Sequence, residues 1–149
     1  MGTRLRLDNQ LCFSLYAAQH AMTRAYRPLL RQLNITYPQY LTLMALWEHD
    51  MSTVHELARR LDLPAHAMTP LLQRLESAGM VERRKSARDG RSVVVELTAA
   101  GRDLEAAAAA VQRTVEHATE LCPDRLALLR EQLHQLAHTL RTPVTAPTR

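Results

Sequence analysis

The sequence predicts a mainly α-helical fold that carries one β-hairpin. Three observations lead there. Leucine and alanine dominate, both good helix formers, and only four glycines occur in 149 residues. Apolar residues recur every three or four positions along most of the chain, the period of a helix with one buried face. The exception is a run around Asp89-Gly90, where a turn pair separates two extended segments.

The elements follow in order. A first helix covers about Leu7 to Arg31, with Asp8 as its N-cap. Leu11, Leu15, Ala18, Met22, Ala25 and Leu29 step by 4, 3, 4, 3 and 4 along it. Pro28 is expected to bend or end it, because proline donates no backbone hydrogen bond. Asn34 to Tyr37 is a break. A second helix, Pro38 to about Glu48, carries Leu41, Met44, Ala45 and Trp47. Ser52 or Thr53 caps a short third helix, Val54 to about Leu61, with Glu56 completing a capping box. A fourth helix, Pro64 to Ala78, has Met68, Leu71, Leu72 and Leu75 on its core face and stops at Gly79. The hairpin then pairs Val81–Lys85 with Ser92–Leu97. Thr98 caps a long helix from about Ala99 to Leu121. Pro123 starts the last helix, which ends near Arg141. Its leucines at 126, 129, 133, 136 and 140 form a seam suited to a partner helix. Gly79, Gly90 and Gly101 all read as boundary glycines. Residues 142–149, with two prolines and no apolar period, read as a flexible tail.

Composition bounds the function. A chain of 149 residues is about one domain. It can bury roughly 70% of its unfolded surface, so it needs no disulfide or metal staple. With 46% hydrophobic and 23% charged residues, wholesale disorder is excluded. No apolar run approaches the ~20 residues of a membrane span, and Met1 to Gln10 lacks the apolar segment of a signal peptide. No membrane partner is expected. Two cysteines, Cys12 and Cys122, form neither a CxxC pair nor a disulfide-dense scaffold, which predicts a reducing cytoplasm.

The net charge of +4 is unevenly spread. Residues 1–31 carry five arginines and one acid, and residues 83–91 carry five cations and one acid. Of the 19 basic residues only Lys85 is a lysine. Arginine forks suit phosphate and guanine edges, although arginine-rich codon usage gives the same composition.

A short helix, a turn, a second helix and a β-hairpin make a winged helix-turn-helix, here four helices, a hairpin wing and two helices. Residues 36–98 are the DNA-binding region. Residues 7–35 and 99–141 form a helical dimerisation region built from both chain ends. The helix at 64–78 suits the major groove, presenting Ala65, His66, Ala67, Thr69 and Pro70 early, with Gln73 a turn on. The wing carries Lys85, Arg88, Asp89 and Arg91, flanked by Arg83 and Arg84. An arginine on such a tip can enter a narrow minor groove. The expected partners are double-stranded DNA with a pseudo-palindromic operator and a second copy of the chain, since such proteins read two half-sites about 34 Å apart. The bland alternatives are a solvated charge run and chain ends that pack within one chain.

Nothing else in the sequence demands a cofactor. There is no P-loop, GxSxG, HExxH or Rossmann fingerprint, so turnover is not expected and the chain does not read as an enzyme. Among seven histidines, His134 and His138 stand one turn apart with His117 nearby in sequence. A zinc site needs a third ligand and an open geometry, so a solvated helix face is expected and no metal.

The stretches Leu71-Leu72-Gln73-Arg74-Leu75-Glu76-Ser77-Ala78-Gly79-Met80-Val81, Arg88-Asp89-Gly90-Arg91 and Leu97-Thr98-Ala99-Ala100-Gly101 resemble the MarR family of winged-helix repressors over nearly the whole chain. That resemblance implies that Arg91 enters the minor groove. A narrower resemblance, to the organic-hydroperoxide-sensing OhrR branch, rests on Leu7 to Tyr16, Ala25 to Leu30 and Thr36 to Tyr40. It implies that Cys12 is a peroxide-reactive thiol, reached by Tyr26 and Tyr37 of the partner subunit. It also implies a resolving thiol near the end of the fifth helix, where Cys122 lies, and hence an intersubunit disulfide. The chain departs from the branch at Pro64-Ala65-His66-Ala67-Met68, where small polar residues are usual, so its operator is expected to differ.

The residues themselves agree with this chemistry. A thiol of ordinary pKa, about 8.5, is only a few per cent thiolate at pH 7. Phenol donors stabilise a thiolate by charge-assisted hydrogen bonds. Phe13, Tyr16, Leu11 and Leu15 offer an apolar lining suited to an organic peroxide. The competing reading of Cys12 is an inert core residue. The sequence therefore predicts a repressor that releases its operator when Cys12 is oxidised. The alternative is a repressor released by a small aromatic or phenolic ligand without cysteine chemistry. A thiol peroxidase and a helical scaffold without DNA activity are more distant rivals.

Overall fold

The computed structural model describes residues 5–144. After a 3-10 turn at Leu7–Asn9, the chain forms α1 (Leu11–Gln32), α2 (Tyr37–Glu48), β1 (Ser52–Thr53), α3 (Val54–Arg60) and α4 (Ala65–Ser77). It continues with β2 (Val81–Lys85), β3 (Val93–Leu97), α5 (Ala99–Asp103), α6 (Glu105–Ala118) and α7 (Pro123–Leu140). No helix among the described residues is long and apolar enough to cross a membrane.

Most boundaries follow local chemistry. Thr36 caps α2 in a capping box: its hydroxyl accepts from the Gln39 N–H, and the Gln39 side chain accepts from the Thr36 N–H at 2.8 Å. Thr53 and Glu56 do the same for α3, with Thr53 N–H to Glu56 Oε2 at 2.7 Å. Gly79 and Gly90 take φ of +71° and +63°, where a side chain would be strained.

Several expectations are corrected. Asp8 lies in the 3-10 turn, and Gln10 is the N-cap of α1 without a side-chain bond. Pro28 does not end α1, which runs on to Gln32. The long helix expected at 99–121 is interrupted at Leu104 and stops at Ala118. Hydrogen bonds from Leu104 N–H to Ala100 and from Ala108 N–H to Leu104 keep α5 and α6 on one path, so the pair counts as one of six helices among the described residues. The stop is set by Glu120, at φ +58°. Gly101 is no boundary. It is buried inside α5, where a Cβ would lie 2.1 Å from the Met80 carbonyl oxygen. Strand β1, two residues long, carried no sequence signal.

The chain divides into two compact units, residues 1–115 and 116–149. In the first, α2 is wrapped on most sides, burying Tyr40, Thr42, Leu43, Ala45 and Leu46. Leu30, Leu57, Met68, Leu72, Leu75, Val81 and Val95 complete the core. The sheet runs β1-β3-β2, all antiparallel, with Arg83 opposite Val95 and Arg84 opposite Val94. The apolar stripe of α1 stays uncovered along its N-terminal half, with Leu11 61% exposed. The second unit is mainly α7, in which no residue is buried and Leu128 and Leu140 are each 59% exposed. The tail expected at 142–149 lies mostly outside the described residues.

Candidate nucleic-acid interface and thiol site

The α3–α4 turn is tight. Asp62 takes φ +55°, and Leu63 N–H bonds the Ala58 carbonyl at 2.9 Å. This fixes where α4 begins. One face of α4 is sealed by Met68, Leu72 and Leu75, while Leu71 is half-buried. The opposite face leaves His66, Thr69, Pro70 and Gln73 exposed together. Pro70 has no N–H to offer the His66 carbonyl, so that acceptor is freed on the same surface.

The wing tip is organised by Asp89. Its Oδ1 accepts from the Ser92 N–H at 2.9 Å and the Arg91 N–H at 3.0 Å, and Oδ2 accepts from the Ser92 hydroxyl at 2.7 Å. The Ser92 bonds, with help from Arg91, hold the Asp89 carboxyl below its ordinary range. Asp89, expected at the DNA surface, thus commits both oxygens to its own turn. It fixes the backbone at Arg91, whose side chain is exposed, as are those of Arg88 and Lys85.

The charge of the wing is smaller than its sequence count. Arg83 is clamped by Glu76 of α4, and Arg84 by Glu96 of β3. Among the described residues Lys85, Arg88 and Arg91 make no ion pair. Two of the five cations in residues 83–91, the flanking Arg83 and Arg84, are thus held in ion pairs within the protein. Glu76, Glu96, Asp50 and Arg102 were not singled out from sequence. The signal was available for one pair: with the turn at Asp89-Gly90, Arg84 and Glu96 become diagonal cross-strand neighbours.

Cys12 is exposed on the first turn of α1. Phe13 and Tyr16 flank it in sequence, their rings stacked at 6.4 Å, and Tyr16 meets His20 at 4.1 Å. Tyr26 and Tyr37 sit elsewhere, at 5.3 Å from each other, joined by Tyr40 at 5.4 and 6.1 Å. Burial pushes the Tyr37 phenol up from its ordinary pKa. Tyr26 follows Cys12 by fourteen residues of one helix, about 21 Å of rise. One copy of the chain therefore does not bring the two tyrosines to the thiol. Tyr40 is the member of this cluster that the sequence reading missed. Its i, i+3 spacing from Tyr37 was the available clue. Beside the cluster is a hollow of about 350 Å³ lined by Thr23, Arg27, Leu30, Arg31, Thr36 and Tyr37, among others. Cys122 is the exposed N-cap residue of α7, in the second unit. No group of three or more His, Cys, Asp or Glu among the described residues could hold a metal.

Residues 35–93 match the model of the MarR family. The chain is 42% identical to the organic hydroperoxide resistance transcriptional regulator of Bacillus subtilis (strain 168), over 91% of this chain and 92% of that one. Its fold is similar to that of AbfR, a Staphylococcus epidermidis protein. Overoxidised AbfR bound to DNA superposes with a TM-score of 0.73 at 36% identity, covering 91% of this chain and 95% of AbfR. Disulfide-formed AbfR superposes with a TM-score of 0.66 at 34% identity, covering 93% and 94%.

Proposed function

The chain belongs to the MarR family of transcriptional regulators, and on that premise we propose that it is a homodimeric repressor released from DNA by oxidation of Cys12. The observation that carries the DNA half is the pairing of an exposed α4 face with an unpaired cationic wing tip one hairpin away. His66, Thr69, Pro70 and Gln73 meet base edges and phosphates in the major groove. Arg91, held by Asp89, enters the minor groove, and Lys85 and Arg88 meet phosphate. A pseudo-palindromic operator matches two copies of this head. The uncovered leucines of α1 and α7 supply apolar surface for the second copy.

The redox half rests on an exposed thiol with Phe13 and Tyr16 close to it in sequence, and on similarity to an organic hydroperoxide resistance regulator and to a protein with disulfide and overoxidised forms. The Cys12 thiolate attacks one peroxide oxygen. The O–O bond breaks, the alkoxide leaves and takes up a proton, and Cys12 becomes a sulfenic acid. The Cys122 thiol of the partner then attacks that sulfur, forming S–S and releasing water. Tyr26 and Tyr37 of the partner donate hydrogen bonds to the thiolate. The switch is stoichiometric: one oxidant per Cys12 and per disulfide formed, without turnover.

Cys12→Ser tests this reading. The variant holds a duplex enriched from a random pool by the wild-type protein, with wild-type affinity, and cumene hydroperoxide fails to release it. Release as ready as wild type overturns the thiol reading. That result would favour a second one, for which the hollow beside Tyr37 speaks. Arg27 and Arg31, which make no ion pair among the described residues, would there meet the carboxylate of a small aromatic acid.

A further inference from the structure

Resting on the operator-binding reading above, we propose that Arg83 and Arg84 are positioning residues that lock the wing in place and do not contact phosphate. Successive residues of a strand point to opposite faces, so these two neighbours in β2 reach different elements. Arg83 points toward α4. Its Nε and Nη2 donate to Glu76 Oε2 at 2.9 and 2.7 Å, and its backbone N–H reaches Glu76 Oε1 at 3.3 Å. The last turn of α4 is thereby pinned to the base of the wing through three donors on one carboxylate.

Arg84 points the other way. It pairs with Glu96 of β3 and lies 3.7 Å from Glu82. Glu96 stands 3.7 Å from Arg102 of α5, which donates to Asp50 Oδ2 at 2.8 Å. The other oxygen of Asp50 accepts from the Met51 N–H at 2.8 Å and the Leu97 N–H at 2.9 Å. Alternating charge thus runs from the wing through α5 to the turn before β1. Pairs this exposed add little to stability. What they fix is direction: α4 and the wing enter two grooves at once, so the angle between them must match the duplex.

Charge and position make opposite predictions for the acids. Glu76→Gln and Glu96→Gln each remove a negative charge, so charge alone would tighten DNA binding. The lock requires that each weaken binding to the pool-selected duplex by roughly tenfold, the size of one mismatched base pair. Binding to sheared genomic DNA and the slope of affinity against salt should stay at wild type. Arg83→Ala and Arg84→Ala should weaken the selected duplex with the slope likewise unchanged, and Arg83→Ala should add nothing to Glu76→Gln. Arg91→Ala, by contrast, should lower the salt slope by about 1. Circular dichroism and thermal midpoint report folding for every variant. The proposal is overturned if the two Gln variants bind as tightly as wild type or tighter. It is equally overturned if Arg83→Ala or Arg84→Ala flattens the slope as Arg91→Ala does. If Arg91→Ala changes neither affinity nor slope, the operator reading itself fails and the lock falls with it.

Discussion

Asp89 shows how one side chain can organise an exposed tip through its own turn. Its carboxylate gathers the Arg91 and Ser92 amides and the Ser92 hydroxyl. Those bonds hold its pKa below the ordinary value, so the sign of the pH effect follows. The turn is fully formed above the ordinary Asp pKa of about 3.9. It loosens only as pH falls through the lower, folded value. The amide proton shifts of Arg91 and Ser92 should therefore move together in one titration centred below that ordinary value, and Asp89→Asn should abolish it. Shifts that titrate at the ordinary value, or persist in the variant, would show that the bonds are absent in solution. The Asp-Gly turn itself was legible in the sequence. That Asp89 commits its carboxylate to its own turn was not, because an Asp on a tip can bond its own backbone or a partner, and only coordinates separate the two.

At the scale of elements, the start of α3 was well marked because capping is local: Thr53 and Glu56 lie three residues apart, as do Thr36 and Gln39 at the start of α2. Gly101 was misread for the opposite reason. Its requirement comes from Met80, across the junction of α5 with the turn before β2. Thr98 N–H bonds the Met80 carbonyl at 3.1 Å, the Thr98 hydroxyl bonds the Gly79 carbonyl, and Trp47 Nε1–H bonds the Gly101 carbonyl at 2.9 Å. A methyl group at Gly101 meets that backbone head-on. Gly101→Ala should destabilise the fold by about 1–3 kcal/mol, as overpacking does, measured by urea unfolding. An unchanged midpoint would mean that α5 is free to move away from the turn.

Over the whole molecule, the apolar seams at the two chain ends are the feature a single copy leaves unsatisfied. Treatment with cumene hydroperoxide should give a covalent dimer on non-reducing electrophoresis. Cys122→Ala should leave only monomer, and so should Cys12→Ser. A dimer that survives Cys122→Ala would remove that thiol from the mechanism.

The sequence by itself determined the helix order, the hairpin, the exposed polar face of α4 and the exposed tip, because period, caps and turn pairs act over a few residues. It also supplied the family resemblance, through runs of adjacent residues. Tertiary structure decided most of which charges are free. The Arg84–Glu96 pair follows from the hairpin register, but Glu76 reaches Arg83 across a helix–strand junction and Asp50 meets Arg102 from 52 residues away. Ion pairs of that kind depend on how elements are oriented in space, and no local pattern carries an orientation. Of the five cations that the wing counts in sequence, three stand outside any ion pair among the described residues, and the other two hold it in place.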